Sequence, residues 1–312
     1  MLTWELLGAV LGAGIASGRE VASFFARYGV WSNLGIVVAG LTMMYLASGE
    51  LPTSWQGKCP ETVWRMLLAA LLVVTGGAML SGAGEITALV LPVRGAYAVG
   101  IAVTLVLAWF LAHRTQTGLA WISRALLVVL AMLIASCLRM PGENAAMIPT
   151  AFWPQGVARA VAYGGFNAAL LLPVLRNSHV ASQRQKKAAI LSAGAIFMIL
   201  LLACNGVLLR HPALLHEPLP FVGMMQRTGI SGYYLGAVIL YLAILSTLTA
   251  CLRGLGHKWY AAAVIMAVAM LGFSGVVEVA YPVVGAACMC MLAAAKFTNC
   301  SRKPFQSRGD ML

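Results

Sequence analysis

Long stretches of the chain carry no Asp, Glu, Lys or Arg at all: 28–49, 66–84, 95–113, 125–138, 160–175, 188–209, 228–252, 259–277 and 279–295. A further stretch, 6–18, runs past Arg19 and Glu20 into apolar residues 21–26. A helix crossing the hydrocarbon core needs roughly 20 mostly apolar residues. The shorter runs reach that length when one charge near an end extends toward the headgroups, as Arg124 does in a span of 117–139. The pattern therefore predicts ten transmembrane helices. The runs are unbroken rather than alternating with period two, which argues against a membrane β-barrel.

Composition agrees with this reading and narrows it. Charged residues are 10% of the 312 and hydrophobic residues 61%, whereas a soluble domain carries about 25% charged residues. Too few charges remain to solvate a globular surface or an unfolded chain. The net charge of +12 is read as topology rather than as a nucleic-acid surface. With the N-terminus in the cytoplasm, 14 of the 21 Lys and Arg residues fall in inside connections and the tail, 6 in outside connections, and Arg19 within the first span. Both ends then lie inside. The N-terminal apolar stretch lacks a basic leader and does not read as a signal peptide. The seven cysteines show no pairing or metal spacing and read as small core residues. The five histidines fall at span ends or in loops.

Helix-breaking residues cluster twice. Span 1 reads Gly8-Ala-Val-Leu-Gly12-Ala-Gly14-Ile-Ala-Ser17-Gly18-Arg19-Glu20, and span 6 contains Tyr163-Gly164-Gly165-Phe166-Asn167 followed by Pro173. Each glycine weakens a helix interior by roughly 1 kcal/mol. Gly164 stands 152 positions after Gly12, close to half the chain. Ten spans then divide as five plus five, residues 1–150 and 151–300 of a single domain covering 1–312, with a basic tail at 301–312. An odd number of spans per half inverts the second half relative to the first. Interrupted helices at matching places in two inverted halves are the mark of a transporter's solute site. Backbone polar groups freed at bilayer depth are costly unless they line a cavity or meet a ligand. The glycines also fit a second reading, close helix packing through small-xxx-small motifs.

Residues 12–29, Gly-Ala-Gly-Ile-Ala-Ser-Gly-Arg-Glu-Val-Ala-Ser-Phe-Phe-Ala-Arg-Tyr-Gly, resemble the opening motif of the YkvI-type uncharacterised bacterial membrane proteins. That family is classed with amino-acid permeases of the amino acid–polyamine–organocation superfamily. The resemblance implies a LeuT-type fold with helices 1 and 6 unwound at a central site. It places a substrate at Gly12, Ala13 and Gly14 of helix 1 and at Tyr163, Gly164, Gly165 and Asn167 of helix 6, with Ser17 and Asn205 ranked lower. It also implies a sodium site between the carbonyls of Gly8 and Leu11 and the helix 8 pattern Ala243-x-x-Ser246-Thr247. The competing reading of those hydroxyls is bonding back to their own helix. Ile15 stands where a second sodium site would need an amide, so only one is implied. An outer gate in such proteins pairs Arg with an acid, and Arg19 with Glu278 is the matching pair here.

Glu20 and Glu85 are the remaining acids at bilayer depth. An intramembrane carboxyl either relays a proton or is neutralised in place by a base such as Arg19. The sequence thus predicts a non-enzymatic secondary transporter of a small solute, an amino acid or related zwitterion, in symport with Na⁺ or H⁺. No other cofactor, and no nucleic acid, is expected. No G-x-x-x-x-G-K-[ST] loop occurs, which argues against ATP-driven transport. The alternative is a transporter-like receptor that binds a solute and signals, with the basic loop 176–187 as a docking segment or simply a topology determinant.

Overall fold

A computed structural model describes residues 2–48, 58–113, 153–178, 182–227, 229–256 and 258–302, together with the isolated positions 134, 135, 137, 139 and 142. The predicted fifth span, 117–139, lies outside the described residues apart from four of those positions, and so does nearly all of the 301–312 tail.

Every regular element among the described residues is helical. The first apolar segment is divided into α1 (Leu2–Val10), α2 (Ala13–Ser17) and α3 (Arg19–Phe24). A 3₁₀ turn, Ala26–Trp31, leads into α4 (Ser32–Ala47), followed by α5 (Lys58–Val90) and α6 (Ala96–Ala112). After the undescribed stretch come α7 (Trp153–Asn177) and α8 (Gln183–Arg210). A 3₁₀ turn, Pro212–His216, and the short α9 (Pro220–Gln226) precede α10 (Ile230–Gly254) and α11 (Trp259–Ala269). The last helix opens with a turn at Phe273–Gly275 and a π-wound turn at Val276–Ala280, then continues as α12 (Tyr281–Arg302). Among the described residues, six helical segments are long and apolar enough to cross a membrane, and two shorter apolar ones, Ala96–Ala112 and Trp259–Ala269, accompany them. The chain is a multi-pass, membrane-embedded helical protein. At 1.5 Å per residue, the 30-residue span Glu61–Val90 reaches about 45 Å, longer than the ~30 Å hydrocarbon core.

The first predicted interruption is present. Helix α1 ends at Val10, Gly12 is extended (φ −90°, ψ 177°), and the helical path resumes at Ala13. Gly18 then adopts a left-handed φ of 81°, where an L side chain is strained by about 1–2 kcal/mol. Ser17 stitches this second bend: its hydroxyl donates to Gly14 O (2.8 Å) and accepts from the Arg19 N–H (3.2 Å).

The second predicted interruption is corrected. Helix α7 runs continuously through Tyr163–Asn167. Its glycines serve helix packing instead. A Cβ on Gly164 would fall 2.6 Å from Ala39 O on α4, and one on Gly165 would fall 2.5 Å from Met289 Cβ and 2.8 Å from Gly285 O on α12. From the other side, a Cβ on Gly285 would fall 2.4 Å from Ala162 O. These missing side chains let α7 wedge between α4 and α12. A similar fit joins α4 to α8, with Met198 over Gly40 and Met44 over Gly194. The irregularity α7 does carry is Pro173. Its ring nitrogen cannot donate, which leaves the carbonyl of Ala169 without its helical partner.

Candidate functional site

Five helices and the interrupted segment enclose a cavity of about 920 Å³. Each contributes residues at helical spacing. From α1 come Trp4 and Gly8, with Leu11 just past its end; from α5, Leu68, Leu72, Thr75 and Met79; from α7, Phe166, Asn167, Leu170 and Pro173. Helix α10 adds Ala243, Ser246, Thr247 and Cys251, and α12 adds Tyr281. The break itself, Val10–Gly12, forms part of the wall, and so do Ala169 and Pro173. Leu7 O still accepts from the Leu11 N–H (2.8 Å); the carbonyls of Gly8, Ala9 and Val10, beyond which the helix does not continue, and that of Ala169 belong to backbone that borders the cavity.

The cavity has one end lined by exposed residues and one end that is closed. Trp4, Arg65, Lys258 and Tyr260 line its mouth, and the Arg65 side chain is 77% exposed. Lys258 Nζ lies 5.5 Å from the Tyr260 ring centroid. Donation to that tyrosine's oxygen, and the negative charge the oxygen can carry, raise the lysine pKa above its ordinary value. At the opposite end Arg19 Nη2 donates to Glu278 Oε1 at 2.6 Å, and Arg27 Nη2 reaches the same oxygen at 3.1 Å. Arg19 Nη1 also donates to the carbonyls of Leu215 and Glu217, each at 3.1 Å. One guanidinium thus ties α3 to the π-wound opening of the last helix and to the cap formed by Pro212–Gln226. Phe221 and Pro220 of this cap sit where a Cβ on Gly18 would be, at 3.2 Å. The sequence reading named Arg19 and Glu278 but not the cap. Its only trace is the run of Pro212, Pro218 and Pro220, which interrupts an otherwise helical stretch.

Glu20 is the least expected member. Arg19 is committed elsewhere, and the Glu20 carboxyl accepts instead from the Tyr163 hydroxyl (Oε2, 2.9 Å). It folds back over Gly14, whose absent Cβ would lie 1.8 Å from Glu20 Oε1. Glu20 is 6% exposed and lines the inner end of the cavity. The left-handed Gly18 and the bare Gly14 carry a carboxyl seven positions past the α2 start into the wall of the cavity. Two further polar groups of this wall were not foreseen, the hydroxyls of Thr75 and Tyr281.

Of the residues assigned to substrate, Gly12 and Asn167 line the cavity, while Ala13, Gly14, Ser17, Tyr163, Gly164 and Gly165 are not among its lining residues. Tyr163 stands behind Glu20, its ring packed on Phe24 at 4.8 Å and Phe25 at 5.2 Å. Asn167 Nδ2 donates to Tyr163 O (2.9 Å) within its own helix. Asn205 joins α8 to α4 through Ser32 Oγ (2.8 Å) and Asn33 Oδ1 (2.9 Å). Glu85 is half-buried on α5, away from the cavity lining. All five residues of the suggested cation site, Gly8, Leu11, Ala243, Ser246 and Thr247, do line the cavity. Ser246 and Thr247 both donate to Ala243 O, at 2.9 and 3.0 Å. That back-bonding uses each hydroxyl's proton and leaves oxygen lone pairs for a cation.

A membrane-embedded helical protein with a polar-floored cavity at an interrupted helix is the class that fold and site define. No protein-family model matches the chain. Across 321 aligned positions it is 23% identical to the uncharacterized membrane protein YkvI of Bacillus subtilis (strain 168), over 91% of each chain. The similarity is to another membrane protein and extends through nearly the whole length.

Proposed function

We propose that the protein is a secondary active transporter of a small solute, an amino acid or related zwitterion, coupled to Na⁺ or H⁺. The observation that carries this reading is the cavity: large enough for such a solute, bordered by the backbone of an interrupted helix, open at Lys258 and closed at Arg19–Glu278. Alternating access needs one closed end and one open end whose roles exchange. In the orientation favoured by the basic residues, with both termini cytoplasmic in a bacterial inner membrane, the open mouth faces the cytoplasm. The LeuT-type arrangement enters in a reduced form, with helix 1 broken and helix 6 contributing Pro173 and Ala169 in place of an unwound segment. The coupling Na⁺ would sit between the carbonyls of Gly8 and Leu11 and the hydroxyls of Ser246 and Thr247, oxygen ligands suited to a hard cation.

A thermal-shift screen of amino acids with and without Na⁺ tests the proposal. It predicts a solute whose stabilisation grows when Na⁺ is added, and loss of that gain in Ser246→Ala/Thr247→Ala. Sodium dependence unchanged in the double variant removes the cation site. A solute that binds but never crosses a proteoliposome membrane identifies a receptor instead.

A further inference from the structure

Thr75 Oγ1 and Tyr281 Oη are buried without a hydrogen-bond partner of acceptable geometry, although both residues line the cavity. Leaving a buried hydroxyl unsatisfied costs about 1–3 kcal/mol, so such groups call for a ligand. Tyr281 is held in place by its ring, stacked on Phe166 at 4.5 Å and 22°. Its hydroxyl comes within hydrogen-bonding distance of the Thr75 hydroxyl, without the angles of a formed bond, and lies within electrostatic reach of Glu20 and Cys251. Glu20 uses Oε2 to accept from Tyr163, which leaves Oε1 uncommitted. The neighbouring base does not neutralise this carboxyl, since Arg19 is bound to Glu278. Much of the remaining wall is apolar, including Met79, Leu72, Phe166, Leu170 and Ile239.

We infer that Glu20, Thr75 and Tyr281 form the recognition site for a protonated amine on the solute, an ammonium group carried by an apolar body. This inference rests on the transporter reading of the cavity and gives its solute a chemistry. Three ammonium N–H donors meet three oxygens, one of them a carboxylate. An anionic group at the same place would face Glu20 and two hydroxyls with no base to balance it. The apolar residues lining the rest of the wall accept an aliphatic or aromatic body.

The test uses the full-length protein in detergent and matched probes at millimolar concentration. Alanine, leucine and phenylalanine are compared with the corresponding amines (ethylamine, 3-methylbutylamine and 2-phenylethylamine) and with the deaminated acids (propanoate, 4-methylpentanoate and 3-phenylpropanoate). At least one matched amino acid and amine should raise Tm, and its deaminated acid should not. Tyr281→Phe keeps the ring stack and removes an unsatisfied hydroxyl, so the unliganded protein should be as stable as the parent or more so. Its affinity for the ammonium probe should fall about ten- to a hundredfold, the loss of one hydrogen bond to a charged group. Thr75→Val and Glu20→Gln should weaken the same probe. Acids that stabilise as well as amines, no ammonium probe that stabilises, or parent affinity in Tyr281→Phe and Thr75→Val would each overturn the inference. Flux of a solute with unchanged KM in those variants would remove the ammonium site and leave the carrier standing. Ammonium binding lost in the variants, in a parent protein that shows no flux, would remove the carrier and leave the site.

Discussion

At position 14 the choice of side chain decides where a carboxyl two turns away can go. Alanine there would put a methyl 1.8 Å from Glu20 Oε1, and the flexible glutamate side chain would have to swing away. The Tyr163 hydroxyl, in a ring 1% exposed, would then lose its acceptor. Gly14→Ala should therefore lower stability by about 1–3 kcal/mol, and adding Tyr163→Phe should recover most of that loss. Denaturation of the two single variants and the double measures it; strictly additive effects would dissociate Glu20 from Tyr163. Gly18→Ala should cost about 1–2 kcal/mol for its left-handed φ alone, with crowding against Phe221 on top. Tm of the purified variant is the measurement. The glycines of span 1 were legible as an interruption, because four in eleven residues is too many for a lipid-spanning helix. That Glu20 turns inward was not legible. It depends on the sign of one backbone angle at Gly18, and many sequences with the same spacing would point the acid elsewhere.

Among the elements, α7 shows why a glycine pair is ambiguous in sequence. Gly164 and Gly165 have the composition of an unwound segment and also of a packing face, and only the neighbours decide. Here Ala39 O and Met289 Cβ occupy the places where side chains would be, so the helix stays whole. Gly165→Ala must push α7 away from α12, where the obstacles include the Gly285 carbonyl. Overpacking of this kind costs about 1–3 kcal/mol. A lowered Tm for Gly165→Ala is the predicted outcome; an unchanged or raised Tm, as alanine gives in an unconstrained helix, would speak against the packing role. The long apolar elements were plain from charge-free runs because the bilayer imposes their length. The cap Pro212–Gln226 was not, since its short helices are set by what they cover, the bend at Gly18 and the guanidinium of Arg19.

For the whole molecule, the Arg19–Glu278 contact and the cap hold one end of the cavity shut while the other stands open. Arg19 makes three bonds, two to the cap and one to the π-wound turn of the last helix, a geometry that suits the forked guanidinium and that a lysine cannot reproduce. Arg19→Lys and Arg19→Ala should both shift the protein toward opening at the Glu278 end. A cysteine placed at Ala16, on the cavity wall, should then react faster with a membrane-impermeant thiol reagent applied from that side. Equal rates in parent and variant backgrounds would leave the contact as static structure.

Counterflow in proteoliposomes tests transport itself. Vesicles holding the purified protein and preloaded with an unlabelled solute that raises its Tm are diluted into a trace of the same solute, radiolabelled. The account predicts transient accumulation of label above equilibrium, slowed in Tyr281→Phe. Label that stays at the level of protein-free vesicles, while the solute still binds, would contradict it.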